Sequence, residues 1–285
     1  NGLGVNRGLA YWDGIEGRRL LVTVGPYLLC IDALTGKLIE DFGTHGRVDL
    51  REGMGRDPES FFLTANSPGV VFEDLFIIGS RVDESYGAGP GHIRAYDVHT
   101  GQQRWIFHTI PQPGEEGYDT WPPEAYTYEG GANSWAGMAL DATRGLLFVP
   151  TGSATADFYG GNRLGANLFA NCLIALDAHN GKRIWHFQTV HHDIWDRDLP
   201  STPNLVTVER DGKQVDAVAQ ITKTGFVFLF NREDGTPLFP IVEQPVSASD
   251  IPGESAWPTQ PIPTAPPPFV RQNFTPDVVT TISDT

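Results

Sequence analysis

The 285-residue chain carries 35 Asp and Glu against 20 Lys and Arg, a formal net charge of −15, and its pI is near 4.8. That balance argues against nucleic acid and against an anionic membrane surface as partners, and it makes any basic residue in a cleft stand out. Abundant Gly and Pro and sparse charge suit a loop-rich all-β protein; no stretch approaches the ~18–20 apolar residues of a membrane span, and no long run has helical periodicity.

Asn6-Arg7-Gly8-Leu9-Ala10-Tyr11-Trp12 opens the readable part of the chain. Arg7 can offer a two-pronged fork to a carboxylate, although on its own it reads as a surface arginine. Leu28 to Asp32 is an apolar run ending in Asp, with Gly36 four residues on. This is strand, tight turn, strand: the Asp side chain bonds the turn backbone, and Gly takes a positive φ without steric cost. Phe76 to Ser80 reads as a strand, and the acidic pair Asp83 and Glu84 follows it. Ile93 to Gly101 repeats the strand–Asp–Gly unit, as does Leu173 to Gly181, and Val227 to Gly235 repeats it weakly with Asn231 in place of Asp.

Trp105 and Trp185 follow their glycines at one offset. A periodic aromatic beside a periodic turn is a packing device between stacked sheets. Trp135 instead leaves the loop Gly130-Gly131-Ala132-Asn133-Ser134 and stands outside that period. It is therefore the better candidate for a flat floor under a planar ring. In His191-His192-Asp193-Ile194-Trp195-Asp196, Asp196 is the candidate general base, with Asp193 and Asp198 as competitors. His192 and Asp193 are expected to orient their neighbours. Lys223 precedes Thr224, Gly225 and a β-rich run. A Lys there can stabilise negative charge developing on a bound group. Cys30 and Cys172 read as buried thiols, and sequence alone leaves a disulfide between them open.

Four copies of one turn indicate a β-propeller. At roughly 40–50 residues per blade plus insertions, residues 1–285 give a partial propeller of about four or five blades. Because propellers close to hide their sheet edges, further blades are expected from sequence beyond this chain or from a partner chain. The start at Asn1 fits a processed chain or a piece of a longer one. Residues 251–285, rich in Pro and Thr, read as an excursion or a disordered tail.

Together these motifs resemble the pyrroloquinoline quinone (PQQ) dependent dehydrogenases over nearly the whole chain. The Gln188 to Pro200 segment is very similar to the catalytic-Asp segment of the membrane-bound glucose dehydrogenase type. The resemblance implies an eight-bladed propeller, Arg7 on a cofactor carboxylate, Trp135 beneath the quinone plane, Asp196 and Lys223 as catalytic residues with Lys223 on the quinone oxygens, and Ca²⁺ held by Asp83 or Glu84. A hard cation with oxygen ligands speaks against reading His191 and His192 as zinc ligands. Methanol dehydrogenases have a metal-binding Asn in a Thr-Gly-Asn segment; Thr151-Gly152-Ser153 stands there instead, as expected of the glucose type. The implied activity is oxidation of a sugar or polyol hydroxyl, with a glucose-like aldose foremost. Electrons would pass to a membrane quinone or a cytochrome, in the periplasm and with membrane association through parts outside this chain. A simple alcohol as substrate and a non-catalytic scaffold are the alternatives. A scaffold has no reason to keep Arg7, Trp135, Asp196 and Lys223 together.

Overall fold

The computed structural model describes residues 6–280 and residue 282. The first sheet holds β1 (Ala10–Gly14), β2 (Gly17–Val24), β3 (Tyr27–Asp32) and β4 (Arg47–Asp49), antiparallel and in chain order. A short pair, β5 (Leu63–Thr64) with β8 (Arg81–Val82), flanks the second sheet of β6 (Val70–Phe72), β7 (Leu75–Ile78), β9 (Ile93–Asp97) and β10 (Gln103–Phe107). The third holds β11 (Ala139–Asp141), β12 (Leu146–Pro150), β13 (Cys172–Asp177) and β14 (Arg183–Gln188). The fourth is β15 (Asn204–Arg210), β16 (Lys213–Ile221) and β17 (Val227–Asn231), and β18 (Ile241–Pro245) pairs with β19 (Thr259–Pro263) beyond it. The all-β propeller arrangement expected from the repeats is thus present as four successive blades. No helix among the described residues is long and apolar enough to cross a membrane.

The blades stack face to face in chain order. A strand with both faces buried is mostly apolar, and successive side chains serve opposite neighbours. In β7, Phe76 and Ile78 pack against the first blade while Ile77 packs against the third. In β13, Ile174 and Leu176 join the core shared with the second blade, and Leu173 and Ala175 the core shared with the fourth. Cys30 and Cys172 are free thiols in two of these cores, and burial pushes both up, Cys172 well above the ordinary thiol value.

The recurring turns are built as the sequence predicts. Asp32 accepts from the backbone N–H of Leu34 and Thr35 at 3.0 and 2.7 Å. Asp97 accepts from His99 and Thr100, Asp177 from His179, and Asn231 from Glu233. The glycines Gly36, Gly101, Gly181 and Gly235 all have φ of 70–74°. Each blade tryptophan docks on the next blade's turn: Trp105 Nε1 donates to Ala178 O, and Trp185 Nε1 to Arg232 O, both at 3.1 Å. A Cβ on Gly181 would lie 2.5 Å from the Trp105 ring. Gly181→Ala therefore combines a left-handed backbone with a clash, and we expect a loss of about 2–4 kcal/mol in urea unfolding.

The Pro- and Thr-rich stretch that begins at residue 251 carries one strand among its described residues. Thr259–Pro263 is a strand, with Val242 opposite Ile262 and Ile241 opposite Pro263. Pro261 and Pro263 alternate, so their missing N–H groups fall on one side of the strand, as an edge position allows.

Candidate active site

The segments entering β1, β6, β11 and β15 and the loops after β8, β12 and β16 converge at one end of the blades. They enclose a cavity of about 350 Å³ whose wall includes Arg7, Asp83, Glu84, Trp135, Asp196 and Lys223. Arg7, Asp83, Glu84, Trp135, Asp196 and Lys223 therefore line one space, although they lie more than 200 positions apart at the extremes, whereas His192 and Asp193 line a separate pocket.

The loop bearing Asp196 is held from below. Asp193 accepts from the Asn171 amide at 2.8 Å, from Trp195 N at 2.9 Å, and from Ser153 Oγ and Arg197 N. Arg163, fully buried, donates to the Asp193 carbonyl. The His192 ring pairs with Asn167 Oδ1 at 3.0 Å. These side chains orient the loop, as read from the sequence. Asp196 itself has φ 52° and His192 φ 45°, a left-handed backbone that Asp, Asn and His tolerate better than most residues. The loop is thus wound so that the Asp196 carboxylate projects into the cavity.

Lys223 meets that carboxylate directly. Its ammonium donates to both Asp196 carboxylate oxygens and to the Asp196 carbonyl, each at 3.0 Å, and to Asp198 Oδ2 at 3.2 Å. Burial raises the Asp196 carboxyl above its ordinary value, Asp198 adds to the rise, and Lys223 opposes it. Burial works against the Lys223 ammonium, but Asp196 and Asp198 outweigh it and raise its pKa. A carboxylate eased toward protonation beside a cation firmly charged is the pairing a general base needs.

Trp135 is not docked on a blade turn. Its Nε1 donates to Asp198 Oδ2 at 3.1 Å, and the Arg7 guanidinium carbon lies over its ring, 5.7 Å from the centroid. Arg7 has no carboxylate partner among the described residues. Arg7 is thus exposed at the cavity wall, over Trp135 rather than in a salt bridge among the described residues.

Asp83 and Glu84 follow β8 at the cavity wall. Among the described residues, no three His, Cys, Asp or Glu side chains converge as a metal centre. Sequence reading missed Asp157, which is 7 % exposed and lines the same cavity. Burial, then the charges of Asp196, Asp198 and Glu84, push its carboxyl up to about 7. The available signal was an acidic residue in the loop after the apolar run Leu146–Pro150. The folded protein binds this proton more tightly than the unfolded chain does, so stability falls as pH rises from about 4 to about 7. Asp157→Asn is then expected to raise stability at pH 8 by about 2 kcal/mol and to leave it nearly unchanged at pH 4, checked by urea midpoints at the two pH values.

The donor set suits a planar quinone bearing several carboxylates. Arg7 has no carboxylate partner among the described residues, Trp135 presents a flat face held at its edge, Lys223 is a cation at the wall, and the acidic oxygens of Asp83 and Glu84 stand beside them.

A family model described as "PQQ: Glucose/ethanol/alcohol dehydrogenase, beta-propeller domain" matches residues 2–284. The quinate/shikimate dehydrogenase (quinone) of Acinetobacter baylyi is 39% identical over 243 residues, 84% of this chain and 30% of that protein. Quinoprotein glucose dehydrogenase A of Acinetobacter calcoaceticus is 38% identical over 237 residues, 80% of this chain and 29% of that protein. Among solved structures, the quinohemoprotein alcohol dehydrogenase of Comamonas testosteroni superposes with a TM-score of 0.70 at 27% identity, over 92% of this chain and 38% of that one. The chain thus spans about 30% of the length of these curated relatives.

Proposed function

The chain belongs to the PQQ-dependent glucose/ethanol/alcohol dehydrogenase β-propeller family, and from that premise we propose that it supplies the catalytic wall of a dehydrogenase oxidising a sugar or polyol hydroxyl. The observation that carries this reading is the Asp196–Lys223 pair, at 3.0 Å, on the wall of a cavity that also holds Trp135 and an Arg7 with no carboxylate partner among the described residues. Asp196 accepts the hydroxyl proton. Lys223 holds its positive charge where negative charge gathers. Arg7 fixes a carboxylate, and Trp135 orients a planar ring and excludes water from one face. PQQ, when bound, would supply the hydride acceptor, and a Ca²⁺ held by Asp83 or Glu84 would supply polarisation of its oxygens.

A glucose-like aldose is the foremost substrate, supported by the similarity to a glucose dehydrogenase. The slightly greater identity to a quinate/shikimate dehydrogenase puts a cyclic hydroxy acid beside it. A simple alcohol is the second reading, supported by the Asn6 to Trp12 match and by the likeness to an alcohol dehydrogenase structure. The electron acceptor is a membrane quinone or a cytochrome, and the location is the periplasm, with any membrane attachment made by parts outside this chain. Dye reduction by the full-length protein across glucose, other aldoses, polyols, quinate and short alcohols tests the assignment. Preference for an aldose or polyol supports it, and activity confined to short alcohols sinks it in favour of the second reading.

A further inference from the structure

Asp198 joins three parts of the site that lie far apart in sequence. One oxygen, Oδ1, accepts from Ser153 N at 2.6 Å. The other, Oδ2, accepts from Trp135 Nε1 at 3.1 Å and from Lys223 Nζ at 3.2 Å. Its seat is cut to shape: a Cβ on Gly152 would lie 2.4 Å from Oδ1, so only glycine there lets the carboxylate reach the backbone. The side chain is 16% exposed. Three N–H donors, from Ser153, Trp135 and Lys223, converge on its two oxygens. An anchor for the loop alone needs only the Ser153 bond. The second oxygen, shared between the indole edge and the ammonium, has no such use.

We propose that Asp198 is the positioning residue of the site: it holds the Trp135 face and the Lys223 ammonium in one frame, and it is the countercharge that remains on Lys223 when Asp196 is neutralised. The proposal rests on the reading of Asp196 as the base. In that step the substrate O–H bond breaks, the proton bonds to an Asp196 carboxylate oxygen, and the bonding electron pair stays on the substrate oxygen. Asp196 loses its charge, and with it most of its hold on Lys223. Four acceptor atoms surround Lys223 Nζ, and an ammonium has only three protons. The resting arrangement is therefore over-supplied, and Asp198 is the carboxylate that stays when Asp196 lets go. Asp198 shares the cavity wall with Asp196, but both of its oxygens are already engaged by protein N–H donors.

The test uses the full-length holoenzyme carrying Asp198→Asn, alone and combined with Lys223→Ala. It reads kcat, KM, thermal midpoint and, independently of turnover, PQQ dissociation by quenching of Trp fluorescence. The amide keeps an acceptor for Ser153 N–H but turns a donor toward Trp135 and Lys223. We expect kcat to fall by about 30-fold with KM changed less than about threefold, PQQ to dissociate about tenfold more readily, and the Asp198→Asn effect on kcat to shrink below about threefold when Lys223 is already Ala. Asp198→Glu, which keeps the charge, recovers part of kcat. Should Asp198→Asn not fold, Trp135→Phe keeps the ring and removes only the indole N–H; it is expected to weaken PQQ about threefold or more. Equal losses with and without Lys223, or unchanged PQQ affinity in both Asp198→Asn and Trp135→Phe, would overturn the proposal. No PQQ-dependent turnover in the unsubstituted protein overturns the dehydrogenase reading beneath it, and the coupling measurements then have no step to act on.

Discussion

Asp196→Asn lowers kcat by about 10³-fold while PQQ remains bound, the size of effect expected when a positioned general base is lost. Asparagine is the informative replacement. It tolerates the left-handed backbone, φ 52°, that Asp196 adopts, and its carbonyl oxygen can still accept from Lys223. The fold of the loop is fixed elsewhere, by Asp193 with Asn171, Trp195 and Arg197, so the variant changes proton affinity more than shape. Lys223 keeps Asp198 as a partner. Steady-state dye reduction gives kcat, and Trp quenching gives PQQ affinity on the same preparation. Activity near that of the parent removes Asp196 as the base and reopens the case for Asp157, the other carboxyl eased toward protonation at this wall.

Trp135→Ala weakens PQQ by about 30-fold, roughly the contribution of one aromatic face stacked on a planar ring together with its buried area. The matching control, Trp185→Ala, leaves PQQ affinity nearly unchanged at equal folding but costs about 3–5 kcal/mol of stability. The contrast follows from their surroundings. Trp185 is 7% exposed, lies against Phe148 and Phe230, and bonds the next blade's turn. Trp135 faces the cavity, bonds Asp198, and carries Arg7 over its ring. The reverse ranking means that floor and scaffold have been exchanged.

The blade architecture was legible because its causes are local. An apolar strand, an Asx side chain and a glycine at positive φ fall within ten residues of each other, and the Asp97 and Asp177 turns fold as their sequences read. The tryptophan rule could be extracted for the same reason: Trp105 and Trp185 stand at a fixed distance from their own turns. Trp135 was separable because it broke that period. The single residues Arg7, Asp196 and Lys223 were legible only through motifs, since nothing local tells an exposed Arg from one facing a cavity.

What escaped was whatever depends on loops meeting in space. Asp157 becomes a perturbed carboxyl only because Asp196, Asp198 and Glu84 come near it from other loops. Asp198 looked like a rival for Asp196, and its bonds to Ser153, Trp135 and Lys223 span separate blades. The stretch 259–263 was hidden by its prolines, which are compatible with a strand only at an edge. The carboxylates Asp83 and Glu84 lie at the cavity wall as their place after the strand implied, but no ready-made metal cage surrounds them.

The most direct measurement is reconstitution of the full-length protein with PQQ and Ca²⁺, each omitted in turn, with dye reduction on glucose and Trp fluorescence followed together. The account predicts quenching on addition of PQQ, and turnover only when both are present. Turnover without PQQ, or no quenching and no turnover with both, contradicts it and leaves a propeller with the family's blades and a different use for the cavity around Asp196 and Lys223.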